Sequence, residues 1–445
     1  MLKIFMNRLW LIIILSLSPL LVSAQSEIRI ILDKEYDSIF YLMGYKGKKI
    51  TVADTGFCHK NKVVFRNKDI NPGIYVLTDS KKQYLLEFLI GNDKKFTIDI
   101  KDIESYNSIT VKGSEETSSY FDLMKETQHV NLYLKALESE VQYNPGNVLR
   151  MDSLRKTLNM YQKSLLRKNK DSFLNTFILS MMQPELPDSL HSAEDSLLYL
   201  RCHYWDFFPF HDENVLNYPL IENKLDYFFD VMLPVNPDII IIETDKLIKR
   251  AENNTKVRDF ILWYLYSKYQ TTKYMNLDAV YVHLVENYFA VSDIENVTDN
   301  IKKMMIDRAE VLKGLLLGVK APQMSCTGID GETHELYDIK SPYTIVYFYN
   351  PDCPLCKKEK RILNETVTRR NDIIIYAVNL SQDDAGNEYC FDNVSWICVD
   401  GCLSQEKDLI SLYDIKTTPL IYVLDSEKRI IAKKIKAEQI ELFIK

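Results

Sequence analysis

Apolar positions follow three different rhythms along this chain. Short apolar stretches come first, at residues 27–32, 39–43, 49–52, 63–65, 74–77, 84–90, 96–100 and 109–111. Within 96–100 apolar and polar residues alternate, the period of a half-buried strand. Asn71-Pro72-Gly73 and Gly91-Asn92-Asp93 supply turns between stretches. About eight short strands at this spacing predict a small antiparallel β-sandwich over residues 25–112. From 113 to 317 the period lengthens to three and four, most clearly at 148–170, 257–274 and 301–317, which predicts amphipathic helices and an all-α middle domain. Pro184, Pro187, Pro209, Pro219, Pro234 and Pro237 mark the breaks between helices. Beyond Gly318 strand and helix alternate. Apolar runs at 343–349, 373–380 and 420–424 are separated by helical stretches at 357–369 and 403–413, with an edge strand at 430–435 and a closing helix at 437–444. That alternation predicts an α/β domain over 318–445, its central sheet covered on both faces.

A chain of 445 residues is too long for one ordinary core, in keeping with three domains. With 46% hydrophobic and 26% charged residues it is neither disordered nor a polytopic membrane protein. The net charge of −7 argues against nucleic acid as a partner. Residues 1–24 read as an export signal: Lys3 and Arg8 precede an apolar run at 9–22, and Val22-Ser23-Ala24 offers small residues for cleavage before Gln25. The exported product would be soluble and periplasmic, or membrane-anchored if uncleaved, in a compartment that permits disulfides.

Eight cysteines are too dilute for a disulfide scaffold, but two stand together. Cys353-Pro354-Leu355-Cys356 follows a buried strand and opens a helix, the setting in which C-x-x-C does redox chemistry. Cys353 falls at the N-cap and Pro354 at the first helical position, where its missing N–H costs nothing. Free amides and the helix dipole lower the Cys353 thiol pKa, and the helix hides Cys356 one turn on, so Cys353 is the attacking thiolate. A static disulfide and half of a zinc ribbon are the competing readings. Zinc would need Cys398 and Cys402 as its second pair, which are badly spaced for it. Cys202, His203, His211 and Asp212 match no standard zinc pattern either, so no metal is expected. The aromatic cluster Tyr204, Trp205, Phe207, Phe208 and Phe210 reads as packed core. Cys58, Cys202 and Cys326 read as buried thiols. Cys390, Cys398 and Cys402 read as unpaired or structural rather than as a relay.

The last ~125 residues resemble the TlpA-like and ResA-like thioredoxin-fold oxidoreductases that bacteria export. Gly318-Val319-Lys320-Ala321-Pro322 resembles the family's opening segment and Asp330-Gly331 its first hairpin turn; Cys353-Pro354-Leu355-Cys356 matches its redox site. Thr418-Pro419 followed by Leu420-Ile421-Tyr422-Val423-Leu424-Asp425 resembles its cis-proline and next strand. The whole chain resembles three-part exported proteins of Bacteroidetes with a β-rich N-terminal domain and a helical middle domain. The resemblance implies a thioredoxin fold, with a cis bond at Pro419 exposing the Thr418 backbone to an incoming extended chain. It also implies that Glu359 serves the buried Cys356 thiol as a proton acceptor. Thr418, Pro419, Pro354 and Asp352 would then contact substrate. Two positions depart from the pattern. Asp352 replaces the usual aromatic residue, and its carboxylate is expected to raise the Cys353 pKa and make the pair reducing. Tyr347 stands where plain thioredoxin has an acid. Lys357, Lys358, Lys360 and Arg361 read as a solvated face.

The leading functional expectation is an exported thiol–disulfide oxidoreductase that reduces protein disulfides, with Cys353 as nucleophile and Cys356 as resolving thiol. It needs no cofactor beyond its own Cys353–Cys356 disulfide. Its partners would be exported cysteine-containing proteins and a membrane redox protein that recycles the dithiol. The alternative is a periplasmic binding or scaffold protein with a thioredoxin-fold module. A thiol peroxidase is a third reading, opposed by Asn350 where the peroxidatic motif usually has Thr.

Overall fold

In the computed structural model, residues 26–444 are described apart from 35, 37, 104, 141–143, 145, 169–170, 188, 191, 273, 382–394 and 405–407, and apart from the side chains of 148 and 402. The export signal, its cleavage point before Gln25, and Cys390 lie outside the described residues. The chain divides into two compact units, Met1–Met232 and Leu233–Lys445.

Eight strands form where the short apolar stretches lie: β1 Glu27–Ile31, β2 Ile39–Lys46, β3 Lys49–Phe57, β4 Lys62–Phe65, β5 Gly73–Thr78, β6 Tyr84–Ile90, β7 Lys95–Ile100 and β8 Ile109–Lys112. They make two four-stranded sheets, β4-β1-β7-β8 and β3-β2-β5-β6. Alternation in β7 does what it should, burying Phe96, Ile98 and Ile100. One pairing departs from the antiparallel expectation: β1 and β7 run parallel, with Ile28 opposite Phe96 and Ile30 opposite Ile98. A parallel pair needs a long crossover, and here the chain between the two strands includes the whole second sheet.

Helices α1 Glu115–Glu140, α2 Asn147–Lys168, α3 Phe173–Met181, α4 Ala193–His203 and α5 Leu220–Tyr227 complete this unit. The first turns of α1 bury Tyr120, Phe121 and Leu123, and α1 packs against β6 and β8. The aromatic cluster is core, as expected: Tyr204, Trp205, Phe208 and Phe210 are all under 10% exposed, with only Phe207 reaching the surface.

The second unit opens with α6 Pro237–Arg250, α7 Thr255–Tyr269, α8 Asp278–Leu284 and α9 Asp299–Lys313. Asn236 caps α6 ahead of Pro237, and Asn254 and Thr298 cap α7 and α9. The expected helical stretch 257–274 ends earlier, at Tyr269, ahead of left-handed Asn276.

The sheet of this unit comprises β9 Ser325–Gly328, β10 Thr333–Glu335, β11 Tyr343–Tyr349, β12 Ile373–Asn379, β13 Trp396–Ser404, β14 Leu420–Leu424 and β15 Ile430–Lys433, in the order β10-β9-β13-β12-β11-β14-β15. The central β11, β12 and β13 are parallel and the flanking pairs antiparallel. Both faces are covered. Val346, Phe348, Tyr376 and Tyr422 lie in one core; Ile345, Tyr347, Ile375 and Val423 lie in the other. Helix α10, Pro354–Arg369, packs on the second face. This is the expected mixed α/β thioredoxin-type sheet.

Two local expectations need correction. Residues 403–404 are strand rather than helix, because β13 runs on past Gly401 to pair Ser404 with Cys326, and the helix α11 spans only Leu409–Leu412. The closing helix is a 3₁₀ turn, Ala437–Leu442. Among the described residues no helix is long and apolar enough to cross a membrane.

Candidate active site

The redox motif sits where β11 hands over to α10. β11 can be almost wholly apolar, Thr344 aside, because it is buried on both faces. After it, Asn350 makes a tight turn: Cys353 N–H donates to its carbonyl at 3.1 Å, and Asp352 N–H to its side-chain oxygen at 2.9 Å. Cys353 is the N-cap of α10, with extended φ −75° and ψ 119°, and Pro354 follows at the first helical position. The Cys353 carbonyl accepts from Lys357 N–H at 3.1 Å, which starts the helix.

The two sulfurs differ in surroundings. Cys353 is half-buried and Cys356 fully buried, and both are free thiols. Burial works against the Cys353 thiolate, but hydrogen bonding from the Cys356 backbone and thiol, the Leu355 backbone and the Thr418 side chain outweighs it, holding the thiol below its ordinary value. The sulfur makes no formal cap hydrogen bond, so these free amides act at longer reach. Cys356 is pushed up to about 11, chiefly by burial, with hydrogen bonding to the Asn350 backbone the main opposing effect, the neighbouring Cys353 adding to the rise and Thr418 opposing it.

The opposite wall is the cis-proline loop. The Thr418–Pro419 bond is cis, and Cys353 Sγ lies 3.8 Å from the Thr418 carbonyl oxygen. β14 begins one residue later, with Leu420 opposite Phe348 of β11. Two segments 65 residues apart thus converge at the end of β11.

The other candidates fall as follows. Pro354 and Asp352 are exposed at the mouth of the site. Asp352 does not have the expected effect: the Cys353 thiol moves down rather than up, because close hydrogen-bond donors act on the sulfur while the exposed carboxylate is screened by water. Glu359 is not a solvated residue. It is 6% exposed, and Oε2 accepts from Ala437 N–H at 2.6 Å, so its carboxylate caps the C-terminal 3₁₀ turn. Lys357, Lys358 and Arg361 are exposed, whereas Lys360 is half-buried. Cys326 is buried, but Cys58 is half-buried and Cys202 exposed, against expectation. Cys398 is disulfide-bonded. His203 lies against Asp206, and Asp212 holds Thr176 and Asn214, so these groups are engaged with neighbours.

Sequence reasoning missed the use of Tyr347. Its buried hydroxyl donates to the Cys356 carbonyl at 2.7 Å, and its ring stacks on Tyr349 at 5.3 Å. A phenol thus braces the backbone of Cys356. The signal available was a polar-tipped aromatic in an otherwise apolar strand.

Residues 317–433 match the AhpC/TSA family. The C-terminal part of the chain is a thioredoxin-like domain of that family. A second match, to a domain of unknown function (DUF5106), covers residues 153–310. No curated protein matches the chain. Among solved structures, a thioredoxin-like protein from Bacteroides caccae is similar over 59% of this chain and 97% of its own, at 22% identity and a TM-score of 0.48. The thioredoxin domain of a thiol-disulfide oxidoreductase from Bacteroides vulgatus is similar over 29% and 98%, at 27% identity and a TM-score of 0.26. A domain of a possible thiol-disulfide isomerase from Cytophaga hutchinsonii is similar over 29% and 90%, at 34% identity and a TM-score of 0.26. Within the matched residues the paired thiols Cys353 and Cys356 face a cis-proline loop.

Proposed function

We propose that this protein is an exported thiol–disulfide oxidoreductase that reduces disulfides of other exported proteins. The observation that carries the reading is the inequality of the two thiols beside the Thr418 carbonyl. Cys353 is accessible and held below its ordinary pKa, while Cys356 is buried and pushed up to about 11. The Cys353 thiolate attacks one sulfur of a substrate disulfide. A mixed disulfide forms, the substrate S–S bond breaks, and the departing sulfur takes up a proton. Cys356 then gives up its proton and attacks Cys353 Sγ, which releases the second substrate thiol and leaves Cys353–Cys356 as a disulfide. Two electrons have passed to the substrate. A membrane redox partner returns them to the protein.

The Thr418 carbonyl offers an acceptor to an extended substrate strand, with Pro419, Pro354 and Asp352 around it. Reduction is the proposed direction because stabilisation of the dithiol state, which would favour oxidation, is confined to the one lowered thiol, Cys353. A neutral Cys356 gains nothing from ionisation that would hold the pair in the dithiol state. Export is supported by the charged start, the apolar run at 9–22 and the small residues before Gln25. Cys356→Ser is expected to trap mixed disulfides with exported proteins, and Cys353→Ser none. Equal adducts from both variants would reverse the roles. A reduction potential for the pair above that of the substrate disulfides would reverse the direction.

A further inference from the structure

The turn before the cis-proline loop is gripped from outside the redox motif. Asp414, left-handed at φ 47°, lies four residues ahead of Thr418. Its side chain is 9% exposed and faces two cations: Lys434 Nζ at 3.4 Å, just past β15, and Arg308 Nε at 3.9 Å, from α9. Arg308 is fixed on its own side. Nη2 donates to the Gln270 carbonyl at 2.6 Å, and the guanidinium sits 5.1 Å from the Tyr281 ring of α8. Nearby, α8 is joined to the sheet edge. Lys433 Nζ of β15 meets Asp278 Oδ2 at 2.5 Å with both side chains at or below 5% exposure, and Lys433 N–H donates to Met275 Sδ at 3.2 Å. On its inner side the same turn is held by Ile415 N–H to the Ile410 carbonyl at 2.8 Å and Tyr422 OH to the Tyr413 carbonyl at 2.8 Å. Residues 415–418 therefore leave a turn whose outer carboxylate faces Lys434 and the α9 cation Arg308, and they end at the carbonyl 3.8 Å from Cys353 Sγ.

We propose that Arg308 is a positioning residue for the redox reaction. Acting through Asp414, it sets the Thr418–Pro419 wall against which the substrate chain docks. The helices ahead of the AhpC/TSA domain are then part of its docking site. This rests on the proposed thiol–disulfide exchange. Among the donors that hold the Cys353 thiol down, those of Cys356 and Leu355 in α10 outrank the Thr418 side chain, so the effect should fall on docking more than on the reactivity of the sulfur.

The test compares the full chain with its Arg308→Met and Arg308→Lys variants in single-turnover reduction of insulin disulfides by the pre-reduced protein. Arg308→Met should raise the half-saturating insulin concentration about threefold to fivefold, the size of one partly exposed ion contact. The limiting rate and the rate of Cys353 alkylation by iodoacetamide should change by a clearly smaller factor. Arg308→Lys should recover part of the loss. Amide hydrogen exchange should quicken at residues 414–421 and not along β11 or β12. An unchanged half-saturation with unchanged exchange at the loop overturns the proposal. So does exchange quickened evenly through the unit, which would mark Arg308 as merely structural. If the unaltered protein fails to reduce insulin, the functional reading falls, while the exchange comparison still decides whether Arg308 sets the loop.

Discussion

Cys353 and Cys356 are three residues apart, yet their protons respond oppositely to folding. Cys353 is held below its ordinary value near 9, so in the reduced protein the unfolded chain keeps a proton that the folded chain has lost. Its contribution to stability therefore grows as pH rises toward about 9. Cys356 is raised to about 11, so between about 9 and 11 the unfolded chain ionises while the folded one does not, and stability falls again. The reduced protein, measured by urea unfolding against a Cys353→Ser/Cys356→Ser control, should show a difference in stability that peaks near pH 9. A difference that rises steadily through pH 10 would contradict the raised Cys356. The unequal placement of these two thiols was legible in the sequence, because Pro354 and the strand before it fix which cysteine caps the helix. The weakness of Asp352 was not. Its charge is written in the sequence, but its exposure is a property of the folded turn.

Helix α10 is fastened to the end of the chain by contacts of very different worth. Lys358–Glu438 at 3.1 Å and Arg369–Glu441 at 3.1 Å join exposed side chains, and such pairs contribute at most about 1 kcal/mol each. The Glu359–Ala437 bond is buried, and losing its acceptor would strand a backbone N–H, at a cost of about 1–3 kcal/mol. This separates the structural duty of Glu359 from the proton-acceptor role that the family resemblance implies. Glu359→Ala should lower the melting temperature. Glu359→Gln keeps a carbonyl for Ala437 N–H and should leave the melting temperature nearly unchanged. If Glu359 also takes the Cys356 proton, the Gln variant should slow release of the mixed disulfide in stopped-flow reduction; an unchanged release rate would leave the residue only its cap. The elements that carry the site were readable because β11 is an apolar run from Ile345 to Tyr349 and the C-x-x-C stands just past its end. The far end of β13 was misread, since its pairing with β9 is a long-range choice that no local period records.

At the scale of the molecule, sequence periods mark where elements change type but not which ones share a core. The helical region 113–317 reads as one domain in the sequence. In the structure its first half belongs with the β sheets. Glu116 of α1 is 7% exposed and accepts from Asn92 N–H at 3.0 Å, after β6, and from Leu174 N–H at 2.9 Å, in α3. The second half belongs with the redox sheet, where Lys433 is buried against Asp278 and the Leu315 carbonyl. Burial lowers the Lys433 pKa in spite of that carboxylate, the mark of a charge whose desolvation is only partly offset. Cutting the chain at Gly318 removes both acceptors and uncovers the edge strand β15, which then offers an unprotected edge to other chains. A fragment spanning Leu233–Lys445 should therefore unfold in one cooperative urea transition with a higher midpoint than a fragment spanning 318–445, and the shorter fragment should self-associate as its concentration rises. Asp278→Ala in the longer fragment leaves an unpaired buried ammonium and should cost about 3–5 kcal/mol, whereas Asp278→Ala combined with Lys433→Met should recover most of that loss. Equal midpoints for the two fragments would show that α6–α9 add nothing to the redox domain. An Asp278→Ala cost that Lys433→Met does not recover would place the loss in packing rather than in the stranded charge.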